Sequence, residues 1–321
     1  MKKVILFLFF ATSLYSWQFH FESGLGGAYR QDRFEHTFKD NLGRPTYHVV
    51  YKNLHMGQIQ GYATGRYGWL FARFDGDVAW IGSGKAVYTP GIPDVLGGIT
   101  FFTSESSVSG SAFDILGTGG ISFPLVNTQD HQLEFSPFGS YELRHLKLKH
   151  GTPNPQQFIV TLPLLPVPLD FGLDPSDLKT NWWGPYAGFE LAWTLFTHWT
   201  LTGSYAYHWQ NYGLDVIVAF PSNLVGIANT DSVNISTSDS KLHSGGFGQT
   251  YKGSLTYRGD IWFCTLFGTY LNFRTKVKDV RIRTETVGFQ ISPGPRVVFS
   301  TNKYKYNWEN FTVGLQTGVY F

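Results

Sequence analysis

The sequence predicts an all-β chain: a transmembrane antiparallel β-barrel of about ten strands, with long extracellular loops and short periplasmic turns. Three observations predict it. Apolar and polar residues alternate with a period of two along ten segments. Short and long joins between those segments alternate as well. The chain also opens with an export signature, which takes it beyond the cytoplasm.

The export signature comes first. Lys2-Lys3 precedes an apolar run, Val4 to Phe10, and an exit that reads Ala11-Thr12-Ser13-Leu14-Tyr15-Ser16. A basic start, a short apolar core and small residues at the exit make a secretory signal over residues 1–16, leaving 17–321 as the barrel. Cleavage after Ser13 fits the small-x-small rule, with Ser16 as the alternative. The apolar run is too short to cross a bilayer as a helix.

Composition narrows the class. Aromatic residues make up 17% of the 321, and charged residues 15%, against about a quarter in soluble globular chains. Disorder needs the opposite balance. A net charge of +2 with no basic cluster argues against nucleic acid as a partner. Cys264 is the only cysteine, so no intrachain disulfide forms, and it reads as a small apolar filler. The longest apolar stretch, residues 162–169, is broken by three prolines, so no transmembrane helix is expected after the signal.

The strands run roughly over 17–30, 54–66, 68–81, 110–123, 132–146, 182–196, 199–213, 246–257, 261–276 and 308–321. In the seventh, Trp199, Leu201, Tyr205, Tyr207 and Trp209 alternate with Thr200, Thr202, Ser204, His208 and Gln210. In the last, Phe311, Val313, Leu315, Val319 and Phe321 alternate with polar or small residues. Successive strand side chains point to opposite faces, so each segment has one oily face and one polar face. Each is about the length of a tilted membrane strand.

Joins after even-numbered strands are short, around Gly65–Gly68, Pro124–His131, Phe196–Trp199 and Tyr257–Asp260; those after odd-numbered strands are long. A sandwich has no reason to gather its long loops at one end, whereas a membrane barrel does. At least part of the loop 150–181, with Pro153, Pro155, Pro163, Pro166, Pro168 and Pro175, is expected to be irregular or polyproline-like. Trp17, Tyr67, Trp69, Trp80, Trp182, Trp183, Trp199, Trp209, Tyr257 and Trp308 lie near strand ends and are expected in the interfacial girdles.

Inward-facing charges are the candidate site. Asp75-Gly76-Asp77 puts two carboxylates on one face of the third strand beside Arg73. Such a pair can polarise water or bind a cation, or simply balance arginines across a barrel interior. The pore-lining candidates are Glu22, Arg66, Arg73, Asp75, Asp77, Asp114, Glu142, Arg144, Glu190, Lys252 and Arg274. With Glu134 and Arg258 they make a near balance of charge, so no ion selectivity is announced. No catalytic residue, metal ligand or cofactor is assigned: the ten histidines lack metal-ligand spacing, and Asp170, Asp174 and Asp177 lack that of a calcium loop. Arg258-Gly259-Asp260 falls in a periplasmic turn, and the sequons at Asn234 and Asn310 have no force if the source is bacterial.

Ten strands, long outward loops and a terminal Val319-x-Phe321 strand resemble the omptin-type barrels of Gram-negative bacteria. The hairpin Tyr186 to Phe196, turn, Trp199 to Trp209 is similar in rhythm to that fold's middle hairpin. The resemblance implies surface proteolysis by an Asp-x-Asp and an Asp-x-His pair near the outer rim. Asp75-Gly76-Asp77 matches the first in spelling, at mid-membrane depth. The second is missing, because Asp215 is followed by Val216-Ile217 and Ala206 stands two before His208. The chain also resembles, more diffusely, porin-type outer-membrane proteins of chlamydia-like bacteria.

The expectation is therefore an outer-membrane diffusion channel for small hydrophilic solutes or ions, with loops 82–109, 147–181 and 214–245 constricting its mouth. The alternatives are an omptin-like hydrolase or a plugged structural or adhesive barrel. Partners are outer-membrane lipid, the solutes, and a second copy in a homo-oligomer.

Overall fold

A computed structural model of the chain describes residues 19–39, 45–90, 104–128, 130–151, 159–162, 165–168, 177–221, 230–237, 246–275, 278–287 and 296–321. The signal segment and Trp17 lie outside them. Strands follow in the order β1 (Phe19–Lys39), β2 (Pro45–Tyr67), β3 (Leu70–Pro90), β4 (Ser104–Ile121), β5 (Phe123–Asn127), β6 (His131–His150), β7 (Ile159–Leu162) and β8 (Leu165–Pro168). Then come β9 (Asp177–Leu195), β10 (Trp199–Pro221), β11 (Thr230–Thr237), β12 (Gly246–Arg258), β13 (Trp262–Arg274), β14 (Lys278–Val287) and β15 (Arg296–Tyr320).

Ten of these close the barrel, in the order β1-β2-β3-β4-β6-β9-β10-β12-β13-β15, all antiparallel. β15 returns to β1 in unbroken register from Glu22↔Tyr320 to Lys39↔Lys303. Closure leaves no edge with unpaired backbone groups, which hydrocarbon would not tolerate.

Large apolar side chains point outward in a band. It begins at Phe19, Tyr67, Trp69, Trp199 and Trp262 on the short-turn rim and ends at Tyr29, Trp80, Trp209, Tyr270 and Phe311. Strand rise multiplied by the usual barrel tilt makes this about 25 Å, the height of an outer-membrane apolar band. The short turns are tight: Gly68 has φ 59°, and Phe196 and Thr197 have φ 51° and 65°.

The strands run further than the alternation suggests. β1, β2 and β3 continue well past the outward aromatic rim, and β10 runs on to Pro221, where β11 pairs with it. β11 and β14 form a second tier above β12 and β13, joined to each other and to β10 and β15. Much of the ground assigned to loops 82–109 and 214–245 is thus barrel wall. Above the hydrocarbon an outward residue need not be apolar, so the period-two contrast fades while backbone pairing continues. The proline-rich join also holds a short hairpin, β7–β8. The rest of those joins, including 91–103, 169–176 and 222–229, lies outside the described residues.

The upper lumen is filled with buried side chains. Phe34, Tyr51, Trp182, Tyr212, Phe273, Tyr306 and Trp308 interlock over Leu54, Met56, Leu146, Leu148, Leu178 and Leu271. Trp182 stacks on Phe273 with ring centroids 5.4 Å apart, and Phe34 stacks on Trp308 at the same distance. Full burial of one such side chain contributes about 1.5–3 kcal/mol. Trp182 and Trp308, each 2% exposed, therefore belong to an interior plug. This corrects their assignment to the girdles.

Candidate functional site in the lumen

Beneath that plug the lumen is crossed by a charged network. Arg30 on β1 donates in bidentate fashion to Asp32, from Nε at 3.0 Å and from Nη2 at 2.9 Å. Its Nη1 reaches across the barrel to Asp114 Oδ2 at 3.0 Å and lies 3.8 Å from Asp77 Oδ1. Arg144 on β6 donates to the same Asp114 oxygen at 3.3 Å and to Glu142 at 3.0 Å. Glu142 in turn meets His208 Nδ1 of β10 at 2.9 Å. Because the carboxylate only accepts, Nδ1 carries a proton, and Nε2 shares a hydrogen bond with the Thr250 hydroxyl at 2.7 Å. Asn310 of β15 donates to Asp32 and accepts from Thr312. The chain of contacts runs from β15 and β1 through β4 and β6 to β12, crossing the cylinder.

Period two explains who takes part. Arg30 and Asp32 continue the inward set Glu22-Gly24-Gly26-Ala28 of β1. Asp77 and Asp114 are directly opposed residues on β3 and β4, and Asp114 is directly opposed to Arg144. Burial is deep: Arg30 is 2% exposed and Glu142 0%. Ions placed there need partners on every side, since stripping one such charge of its counter-ion costs several kcal/mol.

Towards the short turns the lumen opens into a cavity of about 430 Å³. Chords of charge cross it: Arg66 to Glu134 at 3.1 Å, Arg73 to Glu190 at 3.4 Å and Arg258 to Glu22 at 2.8 Å. Tyr62 donates to Glu22. A smaller cavity of about 160 Å³ lies between this space and the network. Asp75 and Lys252 line both cavities and make no ion pair among the described residues.

Ten of the eleven pore-lining candidates therefore face the lumen, and Arg274 does not. It sits outside the barrel, in a charged patch with Arg33, Glu35, Lys305, Asn307 and Glu309, while its neighbour Phe273 points inward. Arg30, Asp32, His208 and Asn310 complete the network and were not among the candidates. Arg30 already falls on the inward face at the end of the first strand read from the sequence, and Asp32 follows from continuing its alternation two residues further. Counting Asp32 and Arg30 in and Arg274 out, the described lumen holds eight carboxylates against six fixed cations. The near balance read from the sequence becomes an excess of two negative charges.

Among the described residues, Asp75-Gly76-Asp77 is not joined to a histidine. His208 borders the same small cavity as Asp77, but both its nitrogens are engaged, by Glu142 and Thr250. The Asn310 sequon is interior, with its side chain bonded to Asp32.

The comparisons agree with this architecture. The outer membrane protease OmpT from Escherichia coli superposes with a TM-score of 0.67 over 95% of this chain and 99% of its own, at 11% identity, which is a likeness of fold. The toluene transporter TbuX from Ralstonia pickettii (10% identity, 95% and 90% covered) and the translocator domain of autotransporter NalP from Neisseria meningitidis (8%, 91% and 88%) align with TM-scores of 0.28 and 0.26. Among curated proteins none matches the sequence. A family model described as Protochlamydia outer membrane protein matches residues 24–219, a stretch that covers the first six barrel strands and most of β10. With its closed ten-stranded wall, apolar outer band and charged interior, the chain belongs to that outer-membrane protein family.

Proposed function

We propose that this outer-membrane barrel is closed at rest, and that it works as a rigid envelope element carrying its long loops at the surface. The observation that carries the reading is the buried plug of Phe34, Trp182, Phe273, Tyr306 and Trp308 seated on the Arg30–Asp114–Arg144 network. A dehydrated aromatic layer above paired ions is no path for hydrated solutes, and displacing it would forfeit several fully buried side chains.

A diffusion channel is the second reading. The polar 430 Å³ cavity and the unpaired Asp75 and Lys252 favour it, with the network then acting as the gate. An omptin-like hydrolase draws its support from the fold alone, since Asp75 and Asp77 meet no histidine.

Planar-bilayer recording of the purified barrel separates the first two. The closed reading expects no steady conductance in the wild type and discrete steps in Trp182→Ala/Trp308→Ala. Steady wild-type steps would overturn it in favour of the channel.

A further inference from the structure

The layer under the plug contains three oxygen atoms that have no hydrogen-bond partner. Asp77 Oδ1, Asp114 Oδ1 and Gln58 Oε1 are all shielded from solvent and accept no hydrogen bond among the described residues; Asp77 Oδ1 has only the longer approach of Arg30 Nη1 at 3.8 Å. All three residues line the 160 Å³ cavity. Asp114 is 3% and Gln58 7% exposed.

The register explains their convergence. Asp77 and Asp114 are directly opposed on β3 and β4, and Gln58 on β2 is opposed to Ala79, the next inward position of β3. Ala79 and Ala112, opposed on the same two strands at the next inward position, are buried under the plug, so the cavity lies on the other side of the carboxylate pair.

Charge points the same way. Two carboxylates directly opposed across a strand pair repel each other. Arg30 and Arg144 both serve Asp114 through its other oxygen, Oδ2. Arg73, which also borders the cavity, is engaged by Glu190. The lumen as a whole keeps two more carboxylates than cations.

Buried acceptors without donors, next to surplus negative charge, are what a hard cation requires. Oxygen-only donors in irregular geometry, with space for water to complete the shell, suit calcium better than magnesium, which demands a near-octahedral cage. No group of three or more carboxylate, imidazole or thiol side chains is gathered among the described residues, so the third donor is an amide.

We propose that Asp77, Asp114 and Gln58 form an intraluminal site for a hard, oxygen-seeking cation, of which calcium is the best fit. The bound ion ties β2, β3 and β4 together beneath the plug. The inference does not depend on whether the barrel conducts.

The test uses the full barrel in detergent, stripped with a chelator and kept in tetramethylammonium chloride at fixed ionic strength. Calcium is then titrated while the unfolding midpoint is followed by tryptophan fluorescence. Terbium luminescence gives an independent measure of binding and stoichiometry. The site expects one ion per chain and a rise in midpoint of about 5 °C or more at saturation. Asp77→Asn and Gln58→Met should each weaken binding at least tenfold.

No shift and no terbium signal in the wild type would overturn the proposal. So would a shift that survives in both variants, because the ion would then sit elsewhere on the barrel. An Asp77→Asn variant that is more stable than the ion-free wild type, in a protein that binds no cation, would mean that the carboxylates share a proton instead. Should Asp77→Asn fail to fold, Gln58→Met, which changes no charge, decides the matter.

Discussion

The Arg144 guanidinium carbon lies 5.4 Å from the centroid of the Trp308 indole, so a charged layer and an aromatic layer meet at one ring. Arg30 approaches the same indole at 5.7 Å. Trp308 thus forms the floor of the plug and the roof of the network. Trp308→Ala removes packing on one side and cation–π contact on the other. A loss of about 3–5 kcal/mol is expected, read from urea unfolding in detergent. Trp308→Phe, which keeps a ring, should lose less than half of that.

Arg30→Met tests the network from its centre. It leaves Asp32 and the shared Asp114 oxygen short of a buried counter-charge, and the expected cost is about 3–5 kcal/mol. Adding Asp114→Leu removes one stranded carboxylate. The double variant should be more stable than the sum of the single changes by about 0.5–3 kcal/mol. Strict additivity in the unfolding midpoints would show that the two residues are not coupled.

Gly248 sits inside the wall directly opposite Phe273, where an added Cβ would fall 1.9 Å from the ring. Gly248→Val therefore has to expel Phe273 from its stack on Trp182 and Trp308. The expected result is an overpacking loss of about 1–3 kcal/mol, with a changed near-ultraviolet dichroism of the tryptophans. Gly253, with open space where its side chain would be, is the matched control: Gly253→Ala should leave the spectrum unchanged.

The turn between β9 and β10 holds Thr197 at φ 65°, a conformation in which a Cβ crowds the following carbonyl. Thr197→Gly is expected to raise stability by about 1 kcal/mol without altering the plug. Comparing unfolding midpoints with the unchanged tryptophan spectrum checks both halves of that statement.

The membrane-embedded half of this barrel was legible in the sequence because hydrocarbon enforces a strict contrast between faces. Leu201 and Leu315 must be oily outside, while Thr200 and Asp77 can be polar inside. Above the band the contrast reverses or vanishes. There Arg274, Lys305 and Glu309 face outward in a polar setting, and Trp182 and Trp308 are interior because the upper lumen is packed. Polarity stopped marking the inside at that height, which is why Arg274 was placed within and the two tryptophans at the rim. Asp32 went unseen because the first strand, which runs on to Lys39, was ended at residue 30. The partnership of Glu142 with His208, 66 residues away, depends on barrel circumference and not on any local pattern.

The seam between β1 and β15 has a bearing on how the molecule assembles. β1 finds its second neighbour only in β15, so the cylinder cannot seal until β15 is in place. Closure therefore depends on pairing between strands far apart in sequence, a slow class of folding event. Until that pairing forms, β1 and β15 present bare edges, the kind of surface on which other chains pair.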